Sequence, residues 1–461
     1  MPYIEWRGSK CRVRWDTGKI NPETGKRIYD SKSGFDDEDE AYNYGLDRES
    51  DIRNDRYISR RDGSTLMRNY CAAWLKHLDV GHLRWRQVEQ IIRLYIVPYW
   101  GDHTVGGIKS SHHRAWKLHL KEAPNVGERY QREIELVFSM LMDDAVDDEL
   151  RSSSPVKRNS RRGQYKKKPK EKKREMRIDD VHQLALNALT FWGFPGYVYF
   201  LTMPFTSMRP GEMSALRREF SYPAWPASDP DPERREEAVE RYAGEDPMPA
   251  LRVQHQFQRE RGKGSPKLYP PKYESTRTLV LPPFLAELHA ALAASHDREW
   301  LFPAINGGPL AKANFRYHYW RPVADGRPAS QPYERRRGDK CSTLQPWRQL
   351  PELPATAYAG KRLYLLRHGG KEWLDEDRHS RIAVETRMGH ELAGVEGLYA
   401  NVTTGMERDI MESLQLRWVK FIQREGGKLV LNSPTPLPFD LESWWKSQAE
   451  AAEATPSSRG S

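Results

Sequence analysis

The chain has 461 residues, 38% hydrophobic and 11% aromatic, enough for two or three domains with cores of their own and too apolar for a globally disordered polymer. No apolar run approaches the ~20 residues a membrane helix needs, and the segment from Met1 to Arg7 lacks the charged start and apolar stretch of a secretory signal. The net charge of +10 is concentrated in one place: between Lys157 and Arg177, twelve Lys and Arg stand against Glu171 and Glu175, so the rest of the chain is close to neutral.

In chain order, residues 1–57 predict a small α+β unit. Apolar Cys11, Val13 and Trp15 alternate with Arg12 and Arg14, the period of a half-buried strand. A turn follows at Asn21 to Gly25, then a second strand from Lys26 to Ser31. Asp36 to Asp55 reads as a helix with acidic residues in its first turn, where the dipole favours them. Residues 62–156 predict a helical bundle. Leu66, Tyr70, Trp74 and Leu78 form one stripe; Val88, Ile91, Ile92 and Tyr95 form a second, ended by Pro98; Ile134, Val137, Phe138, Leu141 and Ala145 form a third.

Residues 157–177 are the basic linker, with Lys166, Lys167, Lys168, Lys172, Lys173 and Arg174 at its centre. A run this dense is solvated or neutralised by a polyanion; phosphates of nucleic acid suit it, because releasing their counterions drives binding. Residues 178–430 form a larger domain. Within it, 221–250 holds six prolines and eight acidic residues and reads as a surface insertion. Residues 431–461 read as a disordered tail. Cys11, Cys71 and Cys341 are scattered without metal-type spacing, which fits a reducing compartment. No carboxylate cluster or glycine-rich phosphate loop is evident, so neither a metal nor a nucleotide cofactor is expected.

Four short segments in the larger domain carry candidate chemistry. Arg209 precedes Pro210, which suits the first turn of a helix, and a guanidinium there could grip two phosphate oxygens, with Glu212 holding it or capping the helix. Alone, the segment reads equally as a surface Arg–Glu pair. Lys272 lies before the short aliphatic run from Thr278 to Leu281, in a hairpin that ends at Pro282; locally it could be a solvated turn lysine, and Lys267 is the alternative if the register differs. Tyr364, Arg367 and His368 fall at i, i+3 and i+4, one helical face. His390 and Tyr399 are nine residues apart, about 900° of rotation on an unbroken helix, but Gly394 and Gly397 permit the chain to turn and bring both side chains together.

In this order and at these spacings the segments resemble those of the tyrosine recombinases, the phage integrase family, and the chain looks similar to the lambda-like integrases. The resemblance implies a multidomain, mainly α protein with small β elements: an α+β arm-type DNA-binding domain, a helical core-binding domain and a mixed α/β catalytic domain. It implies a site-specific DNA recombinase whose catalytic residues are Arg209, Lys272, Arg367, His390 and nucleophilic Tyr399, with Tyr364 standing where the family has His or Lys and His368 able to compensate. The partners implied are double-stranded DNA, three further copies of the chain in a tetramer, and an accessory bending or directionality protein, in a bacterial cytoplasm and at the nucleoid. Two other readings remain open: a type IB topoisomerase and a non-catalytic DNA-binding protein on the same fold.

Overall fold

A computed structural model describes the chain apart from residues 23, 55–56, 60–62, 125, 157–174, 226–230, 242–243, 245, 259–266, 306, 311–314, 330–350, 391–401, 428 and 455–461. It divides into two compact units, Met1–Lys170 and Glu171–Ser461. None of the described helices is long and apolar enough to cross a membrane.

The N-terminal unit holds two separate cores. The first lies between a three-stranded antiparallel sheet and a helix. Strands β1 (Tyr3–Arg7), β2 (Lys10–Ile20) and β3 (Arg27–Phe35) pair in that order, and α1 (Glu38–Arg53) covers one face. Cys11, Val13 and Trp15 point inward, as their alternation requires. The sequence reading missed β1, where the alternation is short and Trp6 faces out, half exposed. Asp37 caps α1 by accepting a bond from the Glu40 N–H.

The second core is the helical bundle of α2 (Met67–His77), α3 (His82–Ile91), α4 (Ser110–Glu122) and α5 (Glu128–Asp147). The three apolar stripes pack here, joined by Trp100 and Trp116, both completely buried. Pro98 does not end the second stripe. A π-turn over Ile92–Ile96 carries the chain into a further helical turn, Val97–Trp100, that includes Pro98.

The C-terminal unit is built around α6 (Ile178–Trp192) and α7 (Phe194–Thr206), whose residues are buried on nearly every side. Helices α8 (Pro210–Ser214), α9 (Pro232–Arg241), α10 (Pro283–Ala294), α11 (Leu365–Glu376), α12 (Arg381–Met388), α13 (Thr404–Glu425) and α14 (Leu441–Ala454) follow in chain order. Strands β4 (Ser221–Trp225), β5 (Met248–Val253) and β8 (Arg277–Val280) make an antiparallel sheet in the order β4-β5-β8, and β6 (Gln256–Gln258) pairs with β7 (Lys267–Tyr269).

Three expectations are corrected in this unit. The stretch 221–250 is no simple surface insertion: its ends supply β4 and β5, and Trp225, Ala238, Met248 and Ala250 form a small core with Val280 and Met411. The expected disordered tail contains α14, whose Leu441, Trp444, Trp445, Ala449 and Ala452 enter the main core at helical spacing. The linker's last residues also belong here, because Met176 is buried against Gly369, where a Cβ would lie 2.3 Å from its sulfur. The basic residues Lys166, Lys167, Lys168, Lys172, Lys173 and Arg174 lie outside the described residues.

Candidate active site

The site is organised by the C-terminus of α12. That helix ends at Gly389, in the left-handed region at φ +66°; Gly389 donates its N–H to the Thr386 carbonyl and His390 to that of Glu385, the closing pattern of a Schellman turn. Only glycine fits, since a Cβ there would lie 2.8 Å from the Arg277 guanidinium and 2.9 Å from the Ser275 hydroxyl. The last carbonyls of a helix have no partner within it and carry its negative dipole end. Here three consecutive ones each accept from a different arginine. Arg277 Nε donates to the Arg387 carbonyl at 2.8 Å, Arg367 Nη2 to that of Met388 at 2.6 Å, and Arg209 Nη2 to that of Gly389 at 2.9 Å.

Each arginine is held from its other side as well. Arg209 is the residue before α8, and Pro210 takes the first helical position, as the sequence predicts. Glu212 Oε2 accepts the Arg209 backbone N–H at 2.8 Å at the start of this helix. Glu212 Oε1 also accepts from Arg209 Nη1 at 2.7 Å, and Oε2 from Arg277 Nη2 at 2.9 Å, so this fully buried carboxylate bridges two guanidiniums. Burial alone would raise the Glu212 pKa; the charge and hydrogen bonds of Arg277, with those of Arg209, outweigh it and hold the carboxyl below its ordinary value.

Arg367 lies on α11 and is 1% exposed. Its Nη1 donates to the Ser207 carbonyl at 2.5 Å, in the left-handed turn that joins α7 to α8. Helix α11 approaches that turn closely because residue 370 is glycine: a Cβ would sit 2.1 Å from the Pro204 carbonyl oxygen. Burial lowers the Arg367 pKa to about 10, with Tyr364 acting to raise it and Arg209 to lower it further. His390 completes this cluster. Its Nε2 stands 3.1 Å from Arg367 Nη2 and its Nδ1 2.6 Å from Glu385 Oε2.

The other candidates are placed less centrally. Lys272 is exposed on a short turn between β7 and β8, which pair with β6 and β5 rather than with each other, its ammonium 4.5 Å from the Tyr273 ring centre. Its carbonyl accepts from Ser275 Oγ at 2.9 Å, and that hydroxyl in turn accepts from Arg209 at 3.3 Å, so Lys272 is tied to the site through its backbone. Lys267 is farther along the ribbon, in register with Gln258. Tyr364 and His368 do not share Arg367's burial. Both are exposed, with ring centres 5.0 Å apart, and the Tyr364 ring centre is 5.9 Å from the Arg367 guanidinium carbon. Tyr399 lies outside the described residues.

The sequence reading missed Arg277, Arg387, Ser275 and Glu385. Arg277 and Ser275 belong to the same segment as Lys272, and Arg387 to the same segment as His390, so proximity to those boxes was the available signal. Arg387 reaches away from the cluster to the Phe205 and Val280 carbonyls, at 2.9 and 3.0 Å, and burial lowers its pKa to about 9. Among the described residues, no group of three His, Cys, Asp or Glu side chains could hold a metal ion.

No protein-family profile matches the sequence, and no curated protein matches it. Solved structures do. The Tn1549 transposon integrase in complex with a circular intermediate DNA superposes with a TM-score of 0.50 at 14% identity, over 76% of this chain and 99% of that one. The same integrase with transposon right end DNA gives 0.49 at 15% identity, over 76% and 99%. A lambda integrase tetramer bound to a Holliday junction gives 0.45 at 12%, over 86% and 94%. With its helical architecture and small antiparallel sheets, the chain has the tyrosine recombinase fold.

Proposed function

We propose that this protein is a site-specific DNA recombinase of the integrase type, cutting and rejoining DNA through a covalent phosphotyrosyl intermediate. The observation that supports this reading best is the meeting of Arg209 and Arg367 on adjacent carbonyls with His390 beside them. Arg209 and Arg277 share a single buried carboxylate, Glu212, so with Arg367 the three guanidiniums outnumber it, leaving a surplus of positive charge that an anion can neutralise. The likeness in fold to integrases solved with DNA points to a phosphodiester as that anion.

In this reading Tyr399 attacks the scissile phosphorus, forming a bond to the 3′-phosphate while the bond to the 5′-oxygen breaks. Lys272 supplies the proton to the departing 5′-hydroxyl. A 5′-hydroxyl from a partner duplex then reverses the step with new connectivity, and the energy of the phosphodiester is kept in the covalent link. Arg209 and Arg367 stabilise the charge that develops on the non-bridging oxygens, and His390 is a further donor. The N-terminal sheet and the helical bundle bind arm-type and core DNA, the basic residues of 157–177 follow the backbone, and four copies assemble on the junction.

The test is incubation with a nicked suicide substrate carrying the element's own junction. Wild type should form a protein–DNA adduct that survives denaturation, and Tyr399→Phe, which removes one oxygen at nearly constant volume, should bind DNA and form none. Adduct in the Phe variant moves the nucleophile to another tyrosine, with Tyr364 the first suspect. Absence of adduct from wild type would mean a DNA-binding protein on a recombinase fold, a reading that the tyrosine at position 364 favours.

A further inference from the structure

Beside the arginine cluster, His390 and Arg367 are joined to two residues outside the catalytic boxes, Lys371 and Glu385, by a chain of polar contacts. Lys371 on α11 pairs with Glu385 on α12 at 3.0 Å and with Asp375 at 3.3 Å. Glu385 Oε2 meets His390 Nδ1 at 2.6 Å, and His390 Nε2 meets Arg367 Nη2 at 3.1 Å. The carboxylate is mostly buried, at 16% exposure of its side chain, while the imidazole is 40% exposed. Burial would raise the Glu385 pKa, but the hydrogen bonds from His390 and Lys371 outweigh it and lower the value.

The chemistry of the two end groups decides what the imidazole between them must be. A guanidinium can only donate hydrogen bonds and a carboxylate can only accept them. Nε2 therefore carries a lone pair toward Arg367, and Nδ1 carries the proton toward Glu385. A proton on Nε2 would set donor against donor, unless an anion entered between the imidazolium and the guanidinium and accepted from both. Among the described residues, the charged groups tied to the ring are Arg367 from α11 and Glu385 from α12, with Lys371 of α11 on Glu385 and Arg209 bound to the carbonyl of the preceding residue, Gly389.

We propose that Glu385, itself held by Lys371, is a positioning residue that fixes His390 as the Nδ1–H tautomer and leaves Nε2 as an acceptor facing Arg367 until an anion separates the two. Its meaning for catalysis rests on the recombinase reading above; the tautomer does not. In this resting state His390 competes for Arg367 rather than donating to a phosphate. Once a phosphate lies between the two, Nε2 takes a proton from water and donates to the anion, and Glu385 stabilises the charge on the ring.

The experiment uses the full chain labelled with ¹⁵N-histidine, with His390→Gln to identify the signal. Long-range imidazole correlations at neutral pH should show the His390 proton on Nδ1 in wild type and a substantial fraction on Nε2 in Glu385→Ala. An Nδ1–H tautomer that persists in Glu385→Ala overturns the proposal. Where that variant does not fold, Lys371→Met frees the carboxylate without removing it. An averaged His390 signal then supports the proposal, and an unchanged one overturns it. On the suicide substrate, Glu385→Ala should slow adduct formation by ~10–100-fold with DNA affinity kept, a split that simple unfolding does not produce. Failure of wild type to form adduct would reject the recombinase reading and leave the tautomer result standing.

Discussion

Replacing Glu212 by Gln tests whether a single buried carboxylate holds the arginine cluster together. The side chain is fully buried and accepts from Arg277 at 2.9 and 3.3 Å, from the Arg209 guanidinium at 2.7 Å and from the Arg209 N–H at 2.8 Å. Glutamine keeps the volume and one acceptor, but turns an amide NH₂ toward a guanidinium and leaves two cations facing one another. Removing one partner of a buried ion pair costs ~3–5 kcal/mol, a large share of the ~5–15 kcal/mol that a domain has. In urea, with tryptophan fluorescence as the probe, the transition of the C-terminal unit should move down by roughly 1–2 M. The loss should persist at high salt, because a buried pair is poorly screened. It should also depend on pH. The Glu212 pKa is lower in the folded chain than in the unfolded one, so its stabilisation is complete above the unfolded value and is lost as the pH falls through the folded one. The difference between wild type and variant should therefore shrink in acid. A loss below about 1 kcal/mol at neutral pH would refute the reasoning and mean that the α12 carbonyls alone satisfy the arginines.

Trp445→Ala should destabilise the C-terminal unit by ~3–5 kcal/mol by chemical denaturation, because the ring is 1% exposed, stacks on His182 at 4.8 Å and donates to the Gly426 carbonyl at 2.9 Å; a neutral effect would mean that α14 is not part of the core. His182 and His289 are held near a pKa of about 3 by burial, so between that value and the ordinary 6.5 only the unfolded chain takes up their protons. Stability of the unit measured from pH 7 down to pH 4 should fall with a slope approaching ~1.4 kcal/mol per pH unit for each of the two, and His289→Gln should reduce that slope. Neutralising Lys166, Lys167 and Lys168 together should weaken binding to every DNA sequence and flatten its logarithmic salt dependence by up to about three units; a loss of discrimination at one base pair, with affinity kept, would count against backbone contact.

The elements of this protein are written in its local sequence. The alternation at Cys11, Val13 and Trp15, the stripes that bury Trp74, Ile91 and Phe138, and the Arg209–Pro210 entry into α8 each follow from a period or a steric rule acting over a few residues. The order of the four boxes also pointed to the fold. Tertiary structure alone decided how those boxes meet. Arg209 reaches a carbonyl 180 residues away and Arg277 one 110 residues away, and no local pattern marks the end of α12 as the place where three guanidiniums gather. Glu385 and Arg277 read as ordinary charged residues until the chain folds, because their roles lie in which orphan carbonyl or imidazole stands opposite them. The same holds for α14. A polar tail rich in Ala and Glu looks unfoldable by composition, yet Leu441, Trp444 and Trp445 fall on one face and find their partners in α6 and α13. Burial needs a surface to be buried against, and that surface comes from helices far away in the sequence.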